Sequence, residues 1–266
     1  MLKQTSVLLF AVLLLNQNSL AQTTIEPLKN YCSQIQHKRK STENSTQSIF
    51  LSGQDITSKS TIDFEYSLRV TKPTNEQFIY LNCNRIHGTI EEAGVKKEIP
   101  FDSKNLIQMI LGVNQNGVID SIKSDLMIIN QMKTAYKQRI QKGKQNPYFL
   151  NVQSTRNIGD EWLDSSLFDN ESNYLITKYK FVKAENNQFV LSFQSDIKIL
   201  SEFYSQDILI IDSKVGNCTG TIYVEPTTNY ILKTEGSVQL EGNRNVNTRE
   251  IPTSIKSTFI DSIINN

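Results

Sequence analysis

Histidine is scarce in this chain of 266 residues, which holds only His37 and His87. The interval between them suits neither a helical nor a hairpin pair of metal ligands. Cysteine is scarce as well, and Cys32, Cys83 and Cys218 lack the short intervals of a zinc site. No metal and no cofactor is therefore expected. An excess of either charge is missing, since 28 Lys and Arg stand against 27 Asp and Glu and leave a formal charge of +1. Such a balance gives no global field to recruit nucleic acid or an anionic membrane. Long apolar runs are missing too. The longest, 7–15, falls short of the ~20 residues of a membrane helix, so no transmembrane segment is expected. No phosphate-binding loop or dinucleotide fingerprint occurs. Asp164, Asp169 and Glu171 share a polar loop without EF-hand spacing and read as solvated carboxylates.

What is present is a lean globular composition. Apolar residues counted with glycine make about 38%, below the usual ~45–50%. Leu, Ile, Val and Phe alone make about 29%, above the ~20% of disordered chains. The remainder is rich in Asn, Gln, Ser and Thr, which hydrate well on exposed strands and turns.

The first 21 residues read as an export signal: Lys3 supplies the positive start, 7–15 is uninterruptedly apolar, and Ser19-Leu20-Ala21 offers small residues before a cut after Ala21. The expected mature protein, of about 245 residues, is soluble and secreted or periplasmic. Cys32 lies too far beyond the apolar run for lipid attachment. In an oxidising compartment two of the three cysteines could pair; burial as free thiols is an equal alternative. Asn44-Ser45-Thr46, Asn170-Glu171-Ser172 and Asn217-Cys218-Thr219 match the glycosylation triplet.

Residues 22–60 read as a polar, partly disordered lead-in, with His37-Lys38-Arg39-Lys40 as a solvated basic face. A single β-rich domain is expected over 61–266. It opens with the cleanest signal in the chain: Ile62, Phe64, Tyr66, Leu68 and Val70 alternate with polar residues, a period of two that puts the apolar groups on one strand face. Lys72-Pro73-Thr74-Asn75 turns into a second strand over 77–86, and 107–113 with 118–122 forms a hairpin around Asn116-Gly117. Steps of three or four at Leu126, Ile129, Tyr136 and Ile140 predict one amphipathic helix over about 124–142. Further strands are expected at 174–184, 188–194, 207–212, 220–225, 229–241 and 252–262, about nine in all. The expected fold is mainly β (α+β): a curved antiparallel sheet or half-barrel with the helix on its concave face, a two-sheet sandwich being the competitor.

Few segments suggest chemistry. Gly216-Asn217-Cys218-Thr219-Gly220 has the spacing of a nucleophile elbow, but both histidines lie upstream and a strand follows where a helix is required. It reads as a turn or bulge. In Gly159-Asp160-Glu161-Trp162 the chain's one Trp follows a turn, where it suits a core anchor or a ligand-stacking ring.

The export signal, the alternating strands, this Gly-Asp-x-Trp step and the strand hairpin over 219–233 together resemble a group of exported β-rich proteins of unknown function frequent in Bacteroidetes-type bacteria. The resemblance spans about 61–260 and brings no catalytic residues with it. The expected architecture is also similar to envelope lipoprotein carriers of the localisation-factor fold.

The function expected from these readings is non-enzymatic: an exported protein binding an apolar small molecule, a lipid or a lipidated partner in the cell envelope. Phe64, Tyr66, Trp162, Phe189 and Phe193 are its candidate ligand-binding residues. The alternatives are an envelope or extracellular protein-interaction module and a carboxylate-based hydrolase of envelope polymers, which needs two facing acids in a cleft.

Overall fold

The computed structural model describes residues 24–27, 35–71, 77–99, 108–114, 117–124, 142–143, 145–168, 173–205, 208–247 and 249–264. Its elements in chain order are β1 (Thr24–Ile25), β2 (Ile35–Leu51), β3 (Gln54–Thr71), β4 (Gln77–Glu92), β5 (Val95–Ile99), β6 (Gln108–Val113), β7 (Ile119–Ser124), β8 (Arg156–Asn157), β9 (Glu161–Phe168), β10 (Asn173–Glu185), β11 (Gln188–Ser205), β12 (Ile208–Val224), β13 (Ile231–Val246) and β14 (Arg249–Ile263). Twelve of these strands form one antiparallel sheet in the order β7-β6-β4-β3-β2-β14-β13-β12-β11-β10-β9, with β5 attached to β4. β1 and β8 pair separately.

The sheet consists of two meanders. β2 to β7 make the first and β9 to β14 the second, and they join where β14 pairs with β2 from Thr253↔Ile49 to Ile263↔Arg39. Two-residue turns connect the long strands: Ser52-Gly53, Ala93-Gly94 and Asn186-Asn187 all have positive φ at both positions, the conformation that matches the twist of a tight hairpin. Glycine tolerates that region without steric cost, which accounts for Gly53 and Gly94.

Residues paired across an antiparallel ladder share a face. The register Val70↔Ile79↔Leu111 and Leu68↔Leu81↔Met109 therefore builds one apolar layer in the first meander. Phe181↔Leu191↔Ile222 continues it in the second. This inner face carries two dry clusters, one centred on Leu68, Val70, Ile79, Leu111 and Ile119, the other on Phe181, Phe189, Leu191 and Val224. The opposite face holds polar pairs such as Thr42 with Asp63 and Asn44 with Thr61.

β7 and β9 lie at opposite edges of the sheet, so the chain between them has to cross from one side to the other. Val118 bridges Gln145, Phe149 bridges Tyr230, and Gly159 N–H donates to the Phe181 carbonyl, marking the crossing. Along it Tyr148 and Phe149 enter the first cluster while Leu150 and Val152 enter the second together with Ile25. This strap closes both apolar clusters.

Several expectations need correction. The nine-strand half-barrel with a helix is replaced by a twelve-stranded sheet, and no helix occurs among the described residues. Ser124, expected to open the helix, closes β7, and 125–141 lies outside the described residues. The sandwich does not fit either, because all twelve strands share one hydrogen-bonded sheet. The lead-in over 22–60 contains β2, a central strand of 17 residues. Its inward positions His37, Arg39, Ser41 and Glu43 are polar, so apolar alternation fails while the ladder to β3 is complete. Finally, 207–212 and 220–225 belong to one continuous strand, β12.

The reading of Gly216-Asn217-Cys218-Thr219-Gly220 as a turn or bulge fails for a steric reason. A Cβ at Gly220 would run into the Glu235 carbonyl oxygen and the Phe193 ring, and one at Gly236, its ladder partner, into the Thr219 carbonyl oxygen. Glycine is needed there for the close approach of β12 to β13.

Candidate functional site

All five expected ligand-binding residues lie on the inner face, but they fall into two groups. Phe64 and Tyr66 stand on β3 in the first cluster, with ring centroids 5.4 Å apart. Trp162, Phe189 and Phe193 belong to the second. Tyr66 and Phe189 are buried core residues, and Phe189 packs edge-on against Phe181 at 5.1 Å. Phe64, Trp162 and Phe193 are only partly covered.

Around Trp162 the sheet forms an aromatic ledge. Trp162 pairs with Tyr179 in the β9–β10 ladder and stacks on it at 5.5 Å, and Tyr179 pairs in turn with Phe193. The Arg156 guanidinium sits 5.3 Å from the Trp162 ring. Trp162 is thus both an anchor on the second cluster and a half-exposed ring on an edge strand. Beyond the ledge the same face continues through Leu175, Ile197 and Ile199, all half-buried.

Two polar groups on the inner face escaped sequence reasoning. Arg39, taken for part of a solvated basic face, is 1% exposed. Its Nε donates to Asp261 Oδ1 at 3.1 Å, and its Nη1 donates to the Tyr230 hydroxyl at 3.0 Å and the Ile231 carbonyl at 2.6 Å. The Tyr66 hydroxyl donates to Asp261 Oδ2 at 2.9 Å. Burial works against the Arg39 charge, yet Tyr66, Asp261 and Tyr230 hold its pKa above the ordinary value. The His37 ring stacks on Tyr230 at 5.3 Å. Burial, with the Arg39 charge nearby, pushes the imidazole pKa down and favours its neutral form. Alternation along a strand was the available signal: it sends His37 and Arg39 inward and Lys38 and Lys40 outward.

The second group lies nearer the opposite end of the second meander. Arg244 donates to Asp212 through Nε at 2.8 Å and Nη2 at 2.9 Å, and Lys214 Nζ stands 3.1 Å from the same carboxylate. Burial raises the Asp212 pKa, but hydrogen bonds from Arg244 and Lys214 outweigh it and hold the carboxyl below its usual range. Asp212 and Lys214 alternate on β12, and Arg244 faces Asp212 directly in the β12–β13 ladder.

The geometry disfavours an elbow nucleophile. Cys218 is buried on β12 and stands in register with Ser45 on β2, three strands across, while His37 lies eight residues further along β2, roughly 30 Å in all. His87 pairs with Asp63 on the outer face. Cys83 is buried in the first cluster, and Cys32 lies outside the described residues. Of the inner-face acids, Asp212 and Asp261 are engaged by cations, and Glu43, Glu92 and Asp164 are exposed. Among the described residues no cluster of His, Cys, Asp and Glu could hold a metal ion, and no helix is long and apolar enough to cross a membrane. A depression of about 270 Å³ lies over the outer-face residues Thr42, Asn44, Glu235, Thr258 and Ile260.

The described residues define an antiparallel β fold with a strapped, apolar inner face. No protein-family model matches the chain, and no curated protein matches it. Among solved structures it is similar to lipovitellin, in a structure titled for lipid–protein interactions, at 9% identity and a TM-score of 0.49 over 89% of this chain. The match spans only 26% of the lipovitellin chain. An outer membrane channel from Pseudomonas putida F1 gives 8% identity and a TM-score of 0.27, covering 89% of this chain and 98% of the channel. A DUF1329 family protein from Desulfovibrio piger gives 11% and 0.17, covering 82% and 83%. At such identities and TM-scores nothing about ligand, partner or activity follows from them.

Proposed function

We propose that this is an exported, non-enzymatic protein that binds an apolar ligand, an acyl chain or a lipidated partner, against the inner face of its second meander. The supporting observation is the ledge of Trp162, Tyr179 and Phe193, which remains half-exposed although it stands on the same face as a dry core. Aromatic area left open beside a filled cluster is surface available to an apolar ligand. Phe189 supports the ledge from within the second cluster, while Phe64 and Tyr66 belong to the first.

Trp162 is the chain's one tryptophan and reports on its own site. Titration with a fatty acid should shift or quench its emission, Phe193→Ala should weaken the response, and native mass spectrometry of protein from its own host should find a bound lipid. No retained lipid and no spectral change would remove the reading. Export is tested separately by sequencing the mature N-terminus, expected at Gln22.

A protein partner is the second reading, favoured by the way Tyr148, Phe149, Leu150 and Val152 already fill the two clusters. Recovery of a stoichiometric partner from envelope extract, with Trp162 buried in the complex, would support it over a small ligand.

A further inference from the structure

Beyond the aromatic ledge, the inner face of the second meander carries an unbalanced charge. Lys214 is 6% exposed, and both it and Arg244 are directed at the single carboxylate of Asp212. Two cations against one anion leave one positive charge over. Arg249, opposite Val246 on the same face, adds a third cation near the strand ends. The acids close by in register do not offset it: Glu202 pairs with Ile211, Glu241 with Val215 and Glu250 with Asn245, all on the outer face.

A buried ammonium without its own counterion is costly, and an incoming anion removes that cost. Lys214 has three N–H donors and Arg244 five, of which the two Arg244 hydrogen bonds and the Lys214 contact engage Asp212. Donors therefore remain for a second acceptor. Arg244 keeps its side chain 25% exposed, which opens the cluster to solvent.

The cluster also lies at a useful distance from the ledge. Ile199 pairs with Lys214, and Phe193 is six residues further back on β11, roughly 20 Å at strand rise. Between them Ile197 and its ladder partner Leu175 supply apolar surface, followed by Ser195 and Thr177, whose buried hydroxyls hydrogen-bond each other at 2.8 Å. A charged end, an apolar track and an aromatic end make the outline of an extended amphiphile.

We propose that Lys214 and Arg244 receive the anionic headgroup, a carboxylate or phosphate monoester, of an amphiphile whose chain runs along Ile199, Ile197 and Leu175 to Phe193 and Trp162. This inference rests on the ligand-binding reading above and adds the headgroup to it.

The test is a fluorescence titration of the full chain with hexadecanoate, hexadecanol and acetate, the two sixteen-carbon chains being long enough to span the track. A charge-assisted hydrogen bond makes hexadecanoate bind about tenfold more tightly than hexadecanol or better. Lys214→Met, which leaves Asp212 paired with Arg244, should abolish that preference and keep hexadecanol affinity. Rising ionic strength should weaken hexadecanoate binding alone in the unsubstituted protein, a readout that needs no variant to fold. Equal affinity for hexadecanoate and hexadecanol would overturn the headgroup assignment and leave the apolar site standing, as would a preference that survives both Lys214→Met and added salt. Acetate binding as tightly as hexadecanoate would mark a site for free small anions and overturn it too. Failure of both hexadecanoate and hexadecanol to bind would remove the ligand-binding reading itself.

Discussion

Arg39 and Asp261 stand 222 residues apart in the chain, and Nε meets Oδ1 at 3.1 Å. The contact crosses the seam between β2 and β14, so this ion pair fastens one meander to the other. Removing one member of a buried pair leaves the other without its counterion. Arg39→Met should destabilise the protein by about 3 kcal/mol in urea unfolding. Arg39→Lys should recover little, because a single ammonium cannot reach Asp261, Tyr230 and the Ile231 carbonyl together.

His37 makes stability depend on pH. Its folded pKa is pushed below the ordinary value near 6.5, first by burial and then by the Arg39 charge. The unfolded chain therefore takes up the proton first, and stability falls as pH drops through the window from 6.5 down to the lowered pKa. Melting temperature should decline over that window. His37→Phe, which keeps a ring against Tyr230, should flatten the decline.

The strap carries a mechanical prediction. Phe149 bridges Tyr230 and lies edge-on to its ring at 5.4 Å, inside the first cluster. Phe149→Ala should cost ~3–5 kcal/mol through lost burial and the cavity left behind. Binding of a hydrophobic dye should rise in the same variant, because the strap no longer seals the apolar face.

Gly220→Val tests the close approach of β12 to β13. The added side chain meets both the Glu235 carbonyl oxygen and the Phe193 ring. A loss of roughly 1–3 kcal/mol is expected from such overpacking. A change in Trp162 emission should accompany it, because Phe193 and Trp162 flank Tyr179.

The legible parts of this fold were those where burial and alternation coincide. Ile62 to Val70 declared a strand and its inward face, and the same parity placed Phe64, Tyr66 and Phe193 on one side of the sheet. β2 was hidden because its inward residues are polar and find partners far along the chain: Arg39 reaches Tyr230 and Asp261, and no local window contains those residues. Gly216 to Gly220 misled for a related reason, since glycine at a turn and glycine under a neighbouring strand look alike in sequence. The strap was missed because Tyr148, Phe149, Leu150 and Val152 form no regular element and show no period. Of the ledge, the sequence reading named Trp162 and Phe193, while Tyr179 emerged only through register.

The pairing of β14 with β2 also governs when the native topology becomes available. Neighbours within either meander are close in sequence and can zip locally, whereas the seam needs a loop of about two hundred residues to close. Such closure is entropically slow. Refolding should therefore show two kinetic phases, with each half collapsing early and the Arg39 contact registering last.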